Sequence, residues 1–142
     1  MFEWIKKTLG PLLSPAGGGE DGPQGTGVAR WRESVVRALK ANGIEPNDFR
    51  VSKILATIQR ESGGDPNVQN NWDINAINGT PSIGLMQTIG PTFNAYKHPG
   101  HNNIRNGYDN LLAAINYIKP RYGTSDAAFN RVAAYGYATG GL

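Results

Sequence analysis

The sequence contains no cysteine. That removes disulfide scaffolds, thiolate metal sites and cysteine nucleophiles, and it leaves the redox compartment open. No apolar run approaches the roughly 18 residues that a membrane-spanning helix needs. Charge is sparse too: charged residues make up 18% of the chain, and 14 Lys and Arg against 11 Asp and Glu leave +3 with no basic block. Nucleic acid is therefore a poor partner, and an anionic surface such as a cell wall a better one. Alternating strand patterns of useful length are missing as well, so the fold class is mainly α.

Glycine and proline are plentiful, and they are unevenly spread. Residues 1–30 hold 7 of the 19 Gly and 3 of the 9 Pro. This stretch reads as a flexible N-terminal segment, too poor in apolar side chains to offset the entropy of ordering. A short amphipathic helix is expected at 2–9. Glu3, and the interruption at Gly10-Pro11, argue against an export signal. Residues 31–136 read as the compact unit and 137–142 as a C-terminal linker, the whole being a monomer.

Within the compact unit a first helix is expected at 30–41, with Val35, Val36 and Leu39 on one side and Asn42-Gly43 as its stop. A second follows Pro46, capped by Asn47 or Asp48, with Val51, Ile54, Leu55 and Ile58 in helical register and Gly63-Gly64 closing it. Residues 63–83 read as a long irregular loop pinned by Trp72 and Ile74, of the kind that is more often functional than idle. A short helix is expected at 90–96 with Pro91 near its start, and an Asn/Gly-rich loop at 97–107. A longer helix carries Leu111, Leu112, Ile115 and Ile118 over 109–119, ended or kinked by Pro120. A last one spans 125–134 with Ser125 as N-cap.

Chemistry concentrates at Glu61. Extending the stripe of Ile54 and Ile58 by one turn lands on Glu61 and Ser62, which puts a carboxylate on the buried face at a helix C-terminus. Burial and the negative end of the helix dipole both raise a carboxyl pKa there. Two readings stay open: a Glu paired with Arg60 or Lys53 or turned outward at the frayed end, or a carboxylic acid that keeps its proton near neutral pH and donates it. The run Gly84-Leu85-Met86-Gln87 suggests a chain passing close to a ligand or another backbone, Gln87 offering donor and acceptor. For Leu85 and Met86 core packing is the better reading.

Taken in order, Ile58-Gln59-Arg60-Glu61-Ser62-Gly63-Gly64, then Gly84-Leu85-Met86-Gln87, then Asn110 with Tyr117 seven residues later, resemble the soluble lytic transglycosylases. These are lysozyme-like peptidoglycan-cleaving domains related to goose-type lysozyme, and the resemblance spans about 47–123. The wording of 70–87 (NxWDxNAxxGxPSxGLMQ) and of 98–104 (HPGHNNI) looks most like the version within phage tail tape-measure proteins. The resemblance implies a two-lobed helical domain with a saccharide groove, no cofactor and no metal. It implies Glu61 as the catalytic residue, Ser62 and Gln87 near the sugars, Tyr117 lining the groove, and Tyr135 as the active-site tyrosine. Gly136 stands where the family has Asn. The implied partners are peptidoglycan glycan strands and other tail proteins, and the implied location is a virion tail acting on the host wall, or else a bacterial cell envelope.

Other polar groups carry rival readings. Asp73 is a candidate second carboxylate, which would make the reaction a hydrolysis, or else a loop cap. Asp65 reads as a turn former before Pro66. His98 and His101 have too few companions for a zinc site and read as loop structure. Loop-borne Trp72 and Tyr108 are the better candidates for stacking on sugar faces. A wall-binding or tail-structural module without catalysis is the alternative from another class.

Overall fold

The structure is a computed structural model that describes residues 22–136. Among these residues it is mainly helical: α1 (Arg32–Ala41), α2 (Asp48–Glu61), α3 (Ile74–Ile77), α4 (Gly90–Tyr96), α5 (Gly107–Tyr122) and α6 (Asp126–Tyr135), with strands β1 (Ser82–Ile83) and β2 (Thr88–Ile89) between α3 and α4. None of these helices is long and apolar enough to cross a membrane. The expected helix at 2–9 and linker at 137–142 lie outside the described residues.

Short polar side chains start α2, α5 and α6. Asn47 Oδ1 accepts from the Arg50 N–H at 2.8 Å, and Ser125 Oγ from the Ala128 N–H at 3.1 Å. Asn106 does the same for Asp109 at 3.0 Å, which starts α5 at Gly107, two residues before the expected start at 109. Each cap satisfies an N–H that the helix itself cannot. α5 packs on α1 and α4, and its Leu111, Leu112, Ile115 and Ile118 share one buried cluster with Val35 and Leu39 of α1, Ile54 and Ile58 of α2, and Phe129 of α6.

α5 does not stop at Pro120 but runs on to Tyr122. The proline sits in the last turn, where few hydrogen bonds remain to be lost. Beyond it Tyr122 packs on the core, and the Gly123 N–H reaches Lys119 O at 3.0 Å to close the end.

α2 and α6 run parallel. At their N-termini Asn47 Nδ2 meets Asp126 Oδ1 at 3.2 Å, and Arg50 pairs with the same carboxylate at 2.8 Å. At their C-termini the Arg60 guanidinium donates to the carbonyls of Val132 and Ala133. The negative ends of two helices therefore lie together, at the Glu61 end.

Two expectations need correction. Residues 22–30, read as linker, are docked. Arg30 donates to Gly27 O (3.1 Å), Pro23 O (3.0 Å) and Gly64 O (2.7 Å), and the Trp31 indole N–H to the same Gly64 O (2.9 Å). Composition missed this because one arginine and one buried tryptophan, not an apolar pattern, do the anchoring. Gly64, at φ +92°, allows the approach: a Cβ there would collide with Gly27 O.

In the 63–83 loop Trp72 and Ile74 pin nothing, being 80% and 61% exposed. Amides shape the loop instead. Asn70 Oδ1 accepts from the Trp72 and Asp73 N–H groups (3.0 and 3.1 Å), and the Asn70 N–H bonds Ser82 O (2.9 Å). Strands β1 and β2 pair antiparallel, Ser82 with Ile89 and Ile83 with Thr88, too short a ladder to show as a sequence pattern.

Candidate active site

The site is assembled where α2 ends against the turn that joins β1 to β2. That turn is Gly84-Leu85-Met86-Gln87, with Leu85 and Met86 fully buried. Gly84 has φ +88°, and a Cβ on it would lie 2.5 Å from Asn110 Nδ2 and 2.6 Å from Ile104 O, so only glycine fits. Asn110, fully buried on α5, is the clamp. Its Oδ1 accepts from the Met86 N–H at 2.8 Å, while its Nδ2 faces Ile104 O (2.9 Å), Thr88 Oγ1 (3.0 Å) and Ile83 O (3.2 Å). The sequence named Asn110 within an ordered motif but gave it no task. Its signal was a polar residue directly preceding the buried run Leu111-Leu112.

Ser62 latches α2 to the same turn. Its hydroxyl donates to Leu85 O at 2.7 Å and accepts from the Gly64 N–H at 3.2 Å. Expected near the sugars, Ser62 spends its hydroxyl on the protein, so its contribution is positional. Gln87 is likewise engaged. It is 5% exposed and, at φ 53°, has a left-handed backbone. Its Nε2 donates to Gly84 O and Val68 O, both at 3.0 Å. Both amide N–H groups are thus committed, and what remains for a ligand is the acceptor Oε1.

Glu61, half-buried, occupies the last position of α2, immediately before the latch. Burial raises its pKa above the ordinary carboxyl value of 4.5, and the neighbouring Arg60 guanidinium opposes the rise. Arg60 is not an ion-pair partner, because its hydrogen bonds go to α6 carbonyls. Among the described residues neither Arg60 nor Lys53 pairs with Glu61. The two helix C-termini gathered here act in the same direction as burial, since a partial negative charge disfavours a second one.

Arg60 also accounts for Gly136. The residue has φ +73°, and a side chain on it would run into the Arg60 guanidinium. Tyr135, just before it, is 80% exposed at the C-terminus of α6. The parallel pairing of α2 and α6 thereby brings Tyr135 to the Glu61 end of the molecule.

The remaining candidates are spread out. Tyr117 lies two turns beyond Asn110 on α5, packed on the core and edge-on to Tyr96 at 5.3 Å, and burial raises its hydroxyl pKa. Tyr108 is not loop-borne as expected. It sits in the first turn of α5 with the Arg37 guanidinium 4.5 Å over its ring and the His101 ring 5.5 Å from it. Trp72 does project from a loop, and its exposure leaves its face open to a sugar.

Asp73 caps α3, its Oδ1 accepting from the Ala76 N–H at 2.9 Å. Asp65 Oδ1 accepts from the Asn67 N–H at 2.9 Å in a turn. The histidines go to separate partners, His98 Nε2 to Asn42 Oδ1 (3.1 Å) and His101 Nδ1 to Asp109 Oδ1 (2.8 Å). Because Asn caps as well as Asp, Asp73→Asn is expected to keep both the melting temperature and the cleavage rate, whereas Asp73→Ala should cost about 1 kcal/mol. Thermal melts and wall digestion check this. A hundredfold rate loss in Asp73→Asn would instead make Asp73 a reacting carboxylate.

A family model described as Transglycosylase SLT domain matches residues 37–142. The Bacillus subtilis (strain 168) protein titled "Uncharacterized protein YqbO" is 44% identical over 121 residues, covering 81% of this chain and 7% of YqbO. No solved structure matches.

Proposed function

Since the chain belongs to the transglycosylase SLT domain family, lytic-transglycosylase-type glycosidases whose substrate is peptidoglycan, we propose that it cleaves the bond between N-acetylmuramic acid and N-acetylglucosamine with Glu61 as acid and then base. The observation that carries this reading is the half-buried Glu61 carboxyl, its pKa raised and no ion pair among the described residues neutralising it, at the end of a helix latched to the Gly84–Gln87 turn.

One carboxyl suffices for a transglycosylase. Glu61 protonates the departing glycosidic oxygen, and the bond to the muramic acid C1 breaks. The muramic 6-hydroxyl then attacks C1 and passes its proton to the Glu61 carboxylate, which restores the acid and closes a 1,6-anhydro ring. An attacking group already on the substrate gains an effective molarity on the order of 10⁵ M or more, which replaces the second carboxylate of a hydrolase. Gln87 Oε1, Tyr117, Tyr135 and Trp72 are the groups assigned to hold the sugars.

Mass spectrometry of digested wall is the test. Anhydro ends that resist borohydride are expected; reducible ends heavier by one water would overturn the reading. The chain spans about 7% of YqbO, and we take it to be a small part of a longer chain of that kind. The wording of 70–87 and 98–104 supports placing that longer chain in a phage tail, where it would open the host wall during entry. Antibodies against the domain labelling tails in electron micrographs would check that location.

A further inference from the structure

A pocket of about 250 Å³ lies between residues 22–23, the start of α1 and the first turn of α5, away from the Gly84–Gln87 turn. Arg30, Glu33, Ser34, Arg37, Asn106 and Tyr108 line it. Both guanidiniums are held in place: Arg30 by three backbone carbonyls, and Arg37 over the Tyr108 ring. Neither has a carboxylate partner, for the ion pairs among the described residues are Arg50–Asp126 and His101–Asp109. Glu33, exposed on α1, is the acid on the wall. Two fixed cations and one anion in a concavity give a focused positive potential with one negative edge. Guanidinium planes suit carboxylates, which they bind in pairs of parallel hydrogen bonds. The fitting ligand is small, with more carboxylates than amines.

The pocket is wired to the Glu61 end. Arg30 Nη2 and Trp31 Nε1 both donate to Gly64 O, at 2.7 and 2.9 Å. Gly64 follows Glu61 by three residues, so the backbone between them spans at most about 11 Å. A peptide of three or four residues, extended, covers roughly 10–14 Å. A muramic acid beside Glu61 carries such a peptide on its lactyl group, bearing free carboxylates and one diamino-acid ammonium.

We propose that this pocket binds the peptide stem of peptidoglycan, the stem carboxylates meeting Arg30 and Arg37 and the side-chain ammonium meeting Glu33. The proposal rests on the reading of Glu61 as the cleavage site. It also gives the docked 22–30 segment a task, because that segment forms one wall and carries one of the two cations.

The test is titration of the 142-residue chain with a sugar-free stem tetrapeptide whose N-terminus is acetylated to stand for the lactyl amide, N-acetyl-L-Ala-γ-D-Glu-L-Lys-D-Ala, followed by NMR at the Tyr108 ring and the Trp31 indole. Saturable binding is expected, weakened at least about tenfold by Arg37→Gln. Glu33→Gln, at an exposed position, is the second variant. It should weaken the lysine-bearing stem and leave the stem with acetylated lysine unaffected. No saturable shift, or binding that neither variant changes, overturns the proposal. Equal displacement by inorganic phosphate or acetate at matched ionic strength means an adventitious anion only, and overturns it too. The peptide has no glycosidic bond, so the two readings fail separately. Stem binding without wall cleavage sinks the Glu61 reading alone, and cleavage without stem binding sinks this one alone.

Discussion

Glu61→Gln is expected to lower wall cleavage by roughly 10²–10⁴-fold, the range a positioned general acid contributes. The amide keeps the shape of the side chain but has no proton of suitable acidity to give the departing oxygen. In the native chain the raised pKa extends the protonated form above the ordinary carboxyl range, so cleavage should persist there and fall as pH climbs through the Glu61 pKa. The same shift sets the sign of a stability change. The folded protein binds this proton more tightly than the unfolded chain does, so folding is favoured at low pH, and the advantage fades as pH rises from 4.5 through the folded value. Glutamine carries no such penalty. Glu61→Gln should therefore melt higher than the native chain at neutral pH, with the gap closing below the ordinary carboxyl pKa. A dead variant that is also more stable is the signature of a catalytic group held in an unfavourable place. A variant that loses both activity and stability would instead mark Glu61 as structural.

Asn110→Ala carries the largest expected stability loss. The substitution leaves the buried Met86 N–H without this acceptor and removes the donor facing Ile83 O, Thr88 Oγ1 and Ile104 O. Each unsatisfied buried group costs about 1–3 kcal/mol, so the loss should reach about 4 kcal/mol, a large share of the 5–15 kcal/mol typical of a domain. Asn110→Asp should fare no better, because it keeps the bond to Met86 but aims an oxygen at two carbonyls and buries a charge. Urea unfolding of both variants measures this. A loss under about 1 kcal/mol for Asn110→Ala would mean that the Gly84–Gln87 turn stands without its clamp. For any variant that remains folded, cleavage should drop with the turn, since Gln87 and the Ser62 latch both depend on its shape.

Local patterns carried much of the helical fold. The α2 stripe from Val51 to Ile58, its Asn47 cap and its stop before Gly63 all follow from side-chain spacing and capping chemistry, which act over a few residues. Ser125 and the start of α6 were legible for the same reason. Of the two outcomes expected at Pro120, an end did not occur, because its penalty depends on what lies beyond it and Tyr122 finds a core contact that no local rule contains. Trp72 and Ile74 were expected to pin their loop because they are its large apolar residues. Whether an apolar loop residue finds a cavity is decided by the loop's path, and here Asn70 turns that path outward.

The candidate site divides along the same line. The amino-acid order by itself determined a helix ending in a carboxylate on its apolar face, a glycine that opens a tight turn, and the absence of any thiol chemistry, because each depends only on residue type and neighbour spacing. Tertiary structure decided that the carboxylate lacks a cation partner among the described residues, that Ser62 and Gln87 commit hydrogen-bonding atoms to the protein itself, and that Asn110 reaches back across more than twenty residues to hold the turn. It also set α6 parallel to α2, which carries Tyr135 to the Glu61 end and puts the Arg60 guanidinium where a side chain at 136 would lie. These outcomes turn on distances between segments far apart in the chain. Hydrogen-bond partners and desolvation exist only once those segments are packed.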